Sequence, residues 1–316
     1  MLDRYRGTVL GLAIGDALGY PVEFLGTAEV RRRYGPEGVT DFIASRNHPA
    51  GAYSDDTQMA VAFAEGLLEA GERDLNTVVE AMARHLVRWS QSPDNDRAPG
   101  STCMSGCRRL ARGVAWSEAG VPESKGCGSA IRTAPIGLRY HGDPDRLMAL
   151  ANASSLMTHG HPSALAGAVA NAYAVSLALD GTEPARLLGR IVEITEPISG
   201  EFAAKVREVP EVLQMEPDGA FDVLGDGWVA EEAVAAALYC FLRSPNDFAA
   251  VVLAGANAPG DSDSIACIAG GIAGAYNGAQ AIPERWGGGV EQASRLAELA
   301  DALYEAAGRP TAAGGA

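Results

Sequence analysis

Two aspartates stand side by side in Tyr-Ser-Asp-Asp-Thr, residues 53–57, with no lysine or arginine for several positions on either side. A helix start explains an acidic residue there, because Ser54 or Asp55 can accept backbone N–H groups and negative charge favours a helix N-terminus. That accounts for one carboxylate and leaves Asp56 with little to do. A second cluster, Gly-Asp-Ser-Asp-Ser at 260–264, repeats the layout: Asp261 and Asp263 alternate with hydroxyls at the opening of another helical stretch. Each cluster taken alone reads equally well as a cap. If both converge, four carboxylates repel one another strongly unless a cation lies between them. Carboxylate and hydroxyl oxygens are hard ligands, which select magnesium, manganese or calcium over zinc.

Two further stretches have chemical potential. Glu-Ser-Lys-Gly-Cys-Gly-Ser, residues 123–129, reads as a glycine-rich turn entering a helix, where outward backbone N–H groups can hold a phosphate. Thr-His-Gly-His-Pro, residues 158–162, offers His159 and His161, each of which as a lone residue reads as a capping or packing histidine. Glu23, on its own, reads as a surface residue after a proline turn.

The elements that must position these groups are helical. Apolar residues recur at three and four in 77–89, 231–242 and 290–306, and alternating β-branched runs are hard to find. Breaks rich in Gly, Pro and Asp fall at 92–101, 120–129, 140–144 and 215–227, none long enough for an interdomain linker. The expectation is one compact all-α domain over residues 1–308, with 309–316 a disordered tail. The helix after the second acid cluster has a small early face, Ala266, Gly270 and Ala273 or Gly274, and 164–179 is rich in alanine and glycine, so close helix approach is expected.

The chain of 316 residues is 47% hydrophobic and 21% charged, the profile of a globular protein with a large core. Its formal charge of −15 argues against general binding to nucleic acid or anionic lipid, so any anionic ligand must be held locally. No segment reads as long and uncharged enough for a convincing membrane span, and the N-terminal apolar stretch is interrupted by Asp16 with no cleavage site after it. A cytoplasmic location is expected. Five cysteines, with no Cys-x-x-Cys pair, indicate neither a zinc site nor a disulfide framework.

Five motifs in order, Gly-Leu-Ala-Ile-Gly-Asp-Ala-Leu-Gly-Tyr-Pro-Val-Glu-Phe (11–24), residues 53–60, 126–138, 158–164 and 260–278, together resemble the ADP-ribosylglycohydrolase family, which includes the enzyme that reactivates dinitrogenase reductase. The match spans nearly the whole chain. The resemblance implies an orthogonal all-α fold, two divalent cations, Mg2+ or Mn2+, and hydrolysis of the glycosidic bond joining ADP-ribose to an acceptor. Carried over residue by residue, it implies Ser54, Asp55 and Asp56 at one ion and Asp261, Asp263 and Ser264 completing the pair, with Asp263 as the bridge. It further implies Glu23, Asp55 and Asp56 as catalytic groups, with Glu23 at the metals and Asp16 structural. Ser124, Lys125, Gly126, Cys127, Gly128 and Ser129 would line the pyrophosphate, and His159 the ribose. Cys127 stands where the family usually has asparagine, and Ser264 where it often has threonine. Asp96 and Gly100 fall where some members have an acidic residue and a glycine-rich loop near the substrate.

The implied partner is an ADP-ribosylated protein, nucleic acid or small molecule. Loops 40–52 and 91–102, on which the acceptor depends, carry no readable code. Two other readings share the acid clusters: a two-metal hydrolase of another nucleotide or phosphorylated substrate, and a non-catalytic ADP-ribose-binding relative. Loss of a metal ligand would favour the last, and the main ones are present.

Overall fold

The computed structural model describes residues 1–45 and 47–308; the expected tail, 309–316, lies outside the described residues. Helices follow one another throughout, and among the described residues the only strand-like pairings are isolated bridges, such as Val121 with His159 and Gly126 with Val229. The chain is all-α, as the periodicity indicates. The helix at 77–89 extends over Leu75–Ser90, and that at 231–242 over Ala230–Arg243. The last helix begins at Ala293 rather than 290, because Gln292 before it adopts a left-handed backbone at φ 53°. Inside the expected break at 215–227 a short helix, Pro217–Leu224, forms, started by proline and held by the burial of Ala220, Phe221 and Leu224.

The centre of the molecule is the crossing of the first helix, Leu2–Gly19, with Ser262–Asn277. Gly7, Gly11, Gly15 and Gly19 recur every four residues, so they form one stripe along the first helix. A Cβ added at Gly11 would stand 2.3 Å from the Gly270 carbonyl oxygen, and one at Gly15 2.0 Å from that of Ala266. Gly270 and Gly274 meet the Gly11 and Gly7 carbonyls from the other side at 2.2 and 1.9 Å. The two helices therefore pack backbone against backbone, which only glycine allows. At the end of the stripe an added Cβ at Gly19 would stand 2.5 Å from Asp263 Cα, so this contact brings the Tyr20–Glu23 segment onto the second acid cluster.

Against this pair lies Pro162–Leu179. Contrary to the sequence-based expectation, this helix is long and apolar enough to cross a membrane by length and composition, with a mean hydropathy of 1.3. Its window is 89% buried inside the molecule, as befits a core helix that is apolar on all sides. Asp55–Ala70 and Leu75–Ser90 form an antiparallel pair, turned at Gly71 with φ 63° and restarted by the Asp74 carboxylate accepting the Thr77 N–H.

Candidate active site

The helix Asp55–Ala70 is capped by Ser54, whose hydroxyl accepts the Asp56 N–H at 3.1 Å. The buried Asp16 carboxylate takes the backbone N–H groups of Ser54 and Thr57 at 2.8 and 2.9 Å and the Thr57 hydroxyl at 2.5 Å. Asp16 therefore ties the first helix to this helix start, the structural role expected of it. With the start satisfied by Ser54 and Asp16, the side chains of Asp55 and Asp56 are not needed as caps. The same holds at Ser262–Asn277: Asp261 occupies the cap position without a side-chain cap bond. Cap chemistry thus leaves three of the four aspartates unexplained, and the fourth, Asp263, only accepts the next N–H, from Ser264, at 3.1 Å.

These carboxylates line one cavity of about 270 Å³, together with Glu23, Gly100, Gly126, Cys127, Gly128, His159 and Ser264. Glu23, Asp261 and Asp263 each offer an oxygen, and the three oxygens lie within 4.8 Å of one another. Glu23 is carried there by the turn after the first helix, where the Phe24 N–H donates to the Gly260 carbonyl at 2.9 Å. The Ser264 hydroxyl donates to Asp56 at 2.8 Å, linking the two acid clusters directly. The Cys127 thiol donates to Asp261 at 2.8 Å. Among the described lining residues none is lysine or arginine. Arg97 comes near, but its guanidinium supports the Tyr53 carbonyl at 2.8 Å and pairs with Glu291.

Burial and mutual repulsion dominate the electrostatics. Burial, then the neighbouring Asp263, pushes Asp55, Asp56 and Asp261 well above the usual carboxylate range. Asp16 is raised to about 7 by burial and Asp263, against the lowering effect of the hydrogen bonds from Thr57 and Ser54. Such a set holds protons or a cation, and the donors fit a hard divalent ion: carboxylate oxygens, a hydroxyl, and no lysine or arginine among the described lining residues to compete.

The remaining sequence candidates fall in two groups. Gly126, Cys127 and Gly128 line the cavity, and Gly100 does so while its N–H donates to Asp55. Ser124, Lys125, Ser129 and Asp96 do not line it. The Ser129 hydroxyl is engaged by the Gly126 and Ala164 carbonyls, that of Ser124 reaches Thr102 at 3.3 Å, and Lys125 pairs with Glu201 and Glu231. Asp96 is exposed and faces His48 at 3.5 Å. His161 caps Pro162–Leu179 by accepting the Ser163 N–H at 3.1 Å. Missed by the sequence reading were Met59, Thr102, Cys103 and, above all, Trp228. Its ring stacks on Phe24 at 5.1 Å and 17°, both rings are exposed, and Phe24 holds a left-handed φ of 73°. An aromatic next to Gly-Asp-Gly, off any helical spacing, was the available signal.

A helical scaffold that gathers buried acidic residues around a glycine turn defines a class of hydrolase, and the comparisons identify it. The ADP-ribosylglycohydrolase family matches residues 1–313, so the chain belongs to that family and is a glycohydrolase. An uncharacterised protein of Archaeoglobus fulgidus is 37% identical, over 96% of this chain and 97% of its own length. ADP-ribosylarginine hydrolase Tri1 of Pseudomonas putida is 31% identical, over 97% of this chain and 79% of its own. A solved structure described as an ADP-ribosylglycohydrolase-related protein complex matches with a TM-score of 0.78 and 31% identity, covering 97% of this chain and 98% of the other.

Proposed function

We propose that the protein is a divalent-cation-dependent hydrolase that releases ADP-ribose from the side chain of an ADP-ribosylated arginine. The observation that carries the cation dependence is the meeting of Glu23, Asp261 and Asp263 oxygens within 4.8 Å in a cavity whose described lining residues include no lysine or arginine. Two ions, Mg2+ or Mn2+, are the reading, with Asp55, Asp56 and Ser264 on one side and Asp261, Asp263 and Glu23 on the other. When bound, such ions neutralise the carboxylates and supply Lewis acidity and a water of lowered pKa. The chain's own residues do the rest. The Gly126–Gly128 turn presents backbone close to the cavity, where a side chain at either glycine would collide with His159 or Cys103. Glu23, on a segment pinned at Phe24, can hold or pass a proton at its carboxylate oxygen beside the reacting bond.

Arginine is favoured as acceptor by the exposed Phe24–Trp228 stack beside an acidic cavity, since a guanidinium is planar, cationic and stacks on aromatic faces. The name of the Pseudomonas relative supports the same choice. The test is ADP-ribose release from ADP-ribosyl-arginine and ADP-ribosyl-serine peptides after EDTA treatment and after adding back Mg2+ or Mn2+. Release from the arginine peptide only with the cation is expected. Cation-independent release, or release from serine alone, would overturn the reading.

A further inference from the structure

His159 is 2% exposed, and its two ring nitrogens face different surroundings. Nδ1 lies 2.8 Å from the Thr158 hydroxyl oxygen. Nε2 is turned to the glycine turn, where a Cβ at Gly126 would stand 2.7 Å from it, and it has no hydrogen-bond partner among the described residues. The backbone around it is fixed: the His159 N–H donates to the Ser155 carbonyl at 2.7 Å, the Ser155 hydroxyl to the His159 carbonyl at 2.9 Å, the Val121 N–H to the Thr158 carbonyl at 2.8 Å and the Gly160 N–H to the Val121 carbonyl at 2.9 Å.

Hydrogen accounting around Thr158 decides where the ring proton sits. Thr158 is fully buried, and its oxygen accepts from Arg132 Nη2 at 2.6 Å. A hydroxyl has one hydrogen to give. Among the described residues, the only remaining hydrogen-bonding partner of that oxygen is His159 Nδ1, so the hydrogen points there and Nδ1 accepts it. The opposite tautomer would bury the Thr158 O–H with no acceptor, at the full desolvation cost of a donor. Arg132 is itself anchored for this task. Its guanidinium lies over the Phe63 ring at 5.0 Å, donates to the Ser154 carbonyl at 3.1 Å, and has no carboxylate in ion-pair contact among the described residues. Burial of the ring, and then that buried charge, also disfavour a second proton: His159 is held down at about 3.

We propose that Arg132 and Thr158 are positioning residues that lock His159 in its Nε2–H tautomer, so that the ring offers one neutral N–H donor to a ligand oxygen above the Gly126–Gly128 turn. Its only lone pair, on Nδ1, is occupied by Thr158, so His159 is a hydrogen-bond donor to substrate and not the base that collects a proton. That the oxygen belongs to ADP-ribose rests on the function proposed above; the tautomer does not.

The experiment is a long-range 1H–15N spectrum of the metal-free, 15N-labelled protein at neutral pH, with His159 assigned by the signal lost in His159→Gln. A pure Nε2–H pattern is expected in wild type, a mixed or Nδ1–H pattern in Thr158→Val, which removes the hydroxyl at nearly constant shape, and recovery of Nε2–H in Thr158→Ser. An Nδ1–H wild type, or an unchanged Nε2–H pattern in Thr158→Val, overturns the proposal. If Thr158→Val does not fold, the wild-type and Thr158→Ser spectra still decide. In parallel, ADP-ribose is titrated: Thr158→Val should weaken binding about tenfold, the worth of one neutral hydrogen bond, with Thr158→Ser close to wild type. Absence of ADP-ribose binding by wild type would refute the functional reading and leave the spectra to judge the tautomer.

Discussion

Asp263 is the neighbour whose charge weighs most on Asp55, Asp56 and Asp261, after burial itself. Replacing it by asparagine keeps the shape and removes the charge. In the absence of divalent ions, Asp263→Asn should melt at the same temperature as wild type or higher, because one repulsive charge is gone. Added Mn2+ should raise the melting temperature of wild type clearly more than that of Asp263→Asn, which loses at least one ion; equal stabilisation of both would refute Asp263 as a ligand. The aspartates were legible in sequence because carboxylates at helix starts came in pairs, and a cap needs only one. Lys125 and Ser129 were proposed from the glycine turn, yet Glu201, Glu231 and the Ala164 carbonyl, which hold them, come from segments about 35 to more than 100 residues away. Nothing local in the sequence announces such partners. Trp228 was missed for the same reason, since its exposure and its stack on Phe24 exist only once residues 24 and 228 meet.

The crossing of Leu2–Gly19 with Ser262–Asn277 is what holds the two acid clusters in register. Glycine inside a helix costs about 1 kcal/mol relative to alanine, so propensity alone predicts that Gly15→Ala stabilises. The Ala266 carbonyl oxygen, 2.0 Å from the new Cβ, makes the opposite outcome the expected one, a loss of about 1–3 kcal/mol as the helices are forced apart. Gly189→Ala, in the helix Pro184–Thr195 with open space around it, is the control and should gain about 0.5–1 kcal/mol. Urea unfolding of both variants checks the pair; stabilisation by Gly15→Ala would mean that the close approach is not needed. The small face on the second helix was legible, but the matching stripe of Gly7, Gly11, Gly15 and Gly19 was overlooked because it lies inside an apolar run that reads as ordinary core. Its four-residue period was the signal.

Across the whole molecule, acidic groups outnumber basic ones 40 to 25, and the buried carboxylates Glu23, Asp55, Asp56, Asp261 and Asp263 line one cavity, with buried Asp16 beside them at the helix start of Asp55. The consequence is a pH dependence opposite to that of a protein whose carboxylates are salt-bridged. In the metal-free protein Asp16 titrates at about 7, raised from 3.8, so the folded state binds more protons than the unfolded chain between those values. Its contribution to stability is complete below about pH 4 and is lost as pH rises through about 7, and the raised Asp55, Asp56 and Asp261 act in the same direction. Thermal melts in EDTA should therefore fall between pH 5 and pH 8, after comparison with a charge-matched surface variant such as Asp96→Asn. With a divalent ion present the fall should shrink, because the ion replaces the protons. A metal-free melting temperature that rises over this interval would contradict the buried, uncompensated cluster.

The most direct measurement of the central claim is isothermal titration of Mn2+ and Mg2+ into metal-free wild type and Asp263→Asn, with folding of both verified by circular dichroism. Two ions bound per wild-type chain are expected, with at least one lost in the variant. Indistinguishable binding curves for the two proteins, or no binding by wild type, would contradict a shared metal site built from the two aspartate clusters.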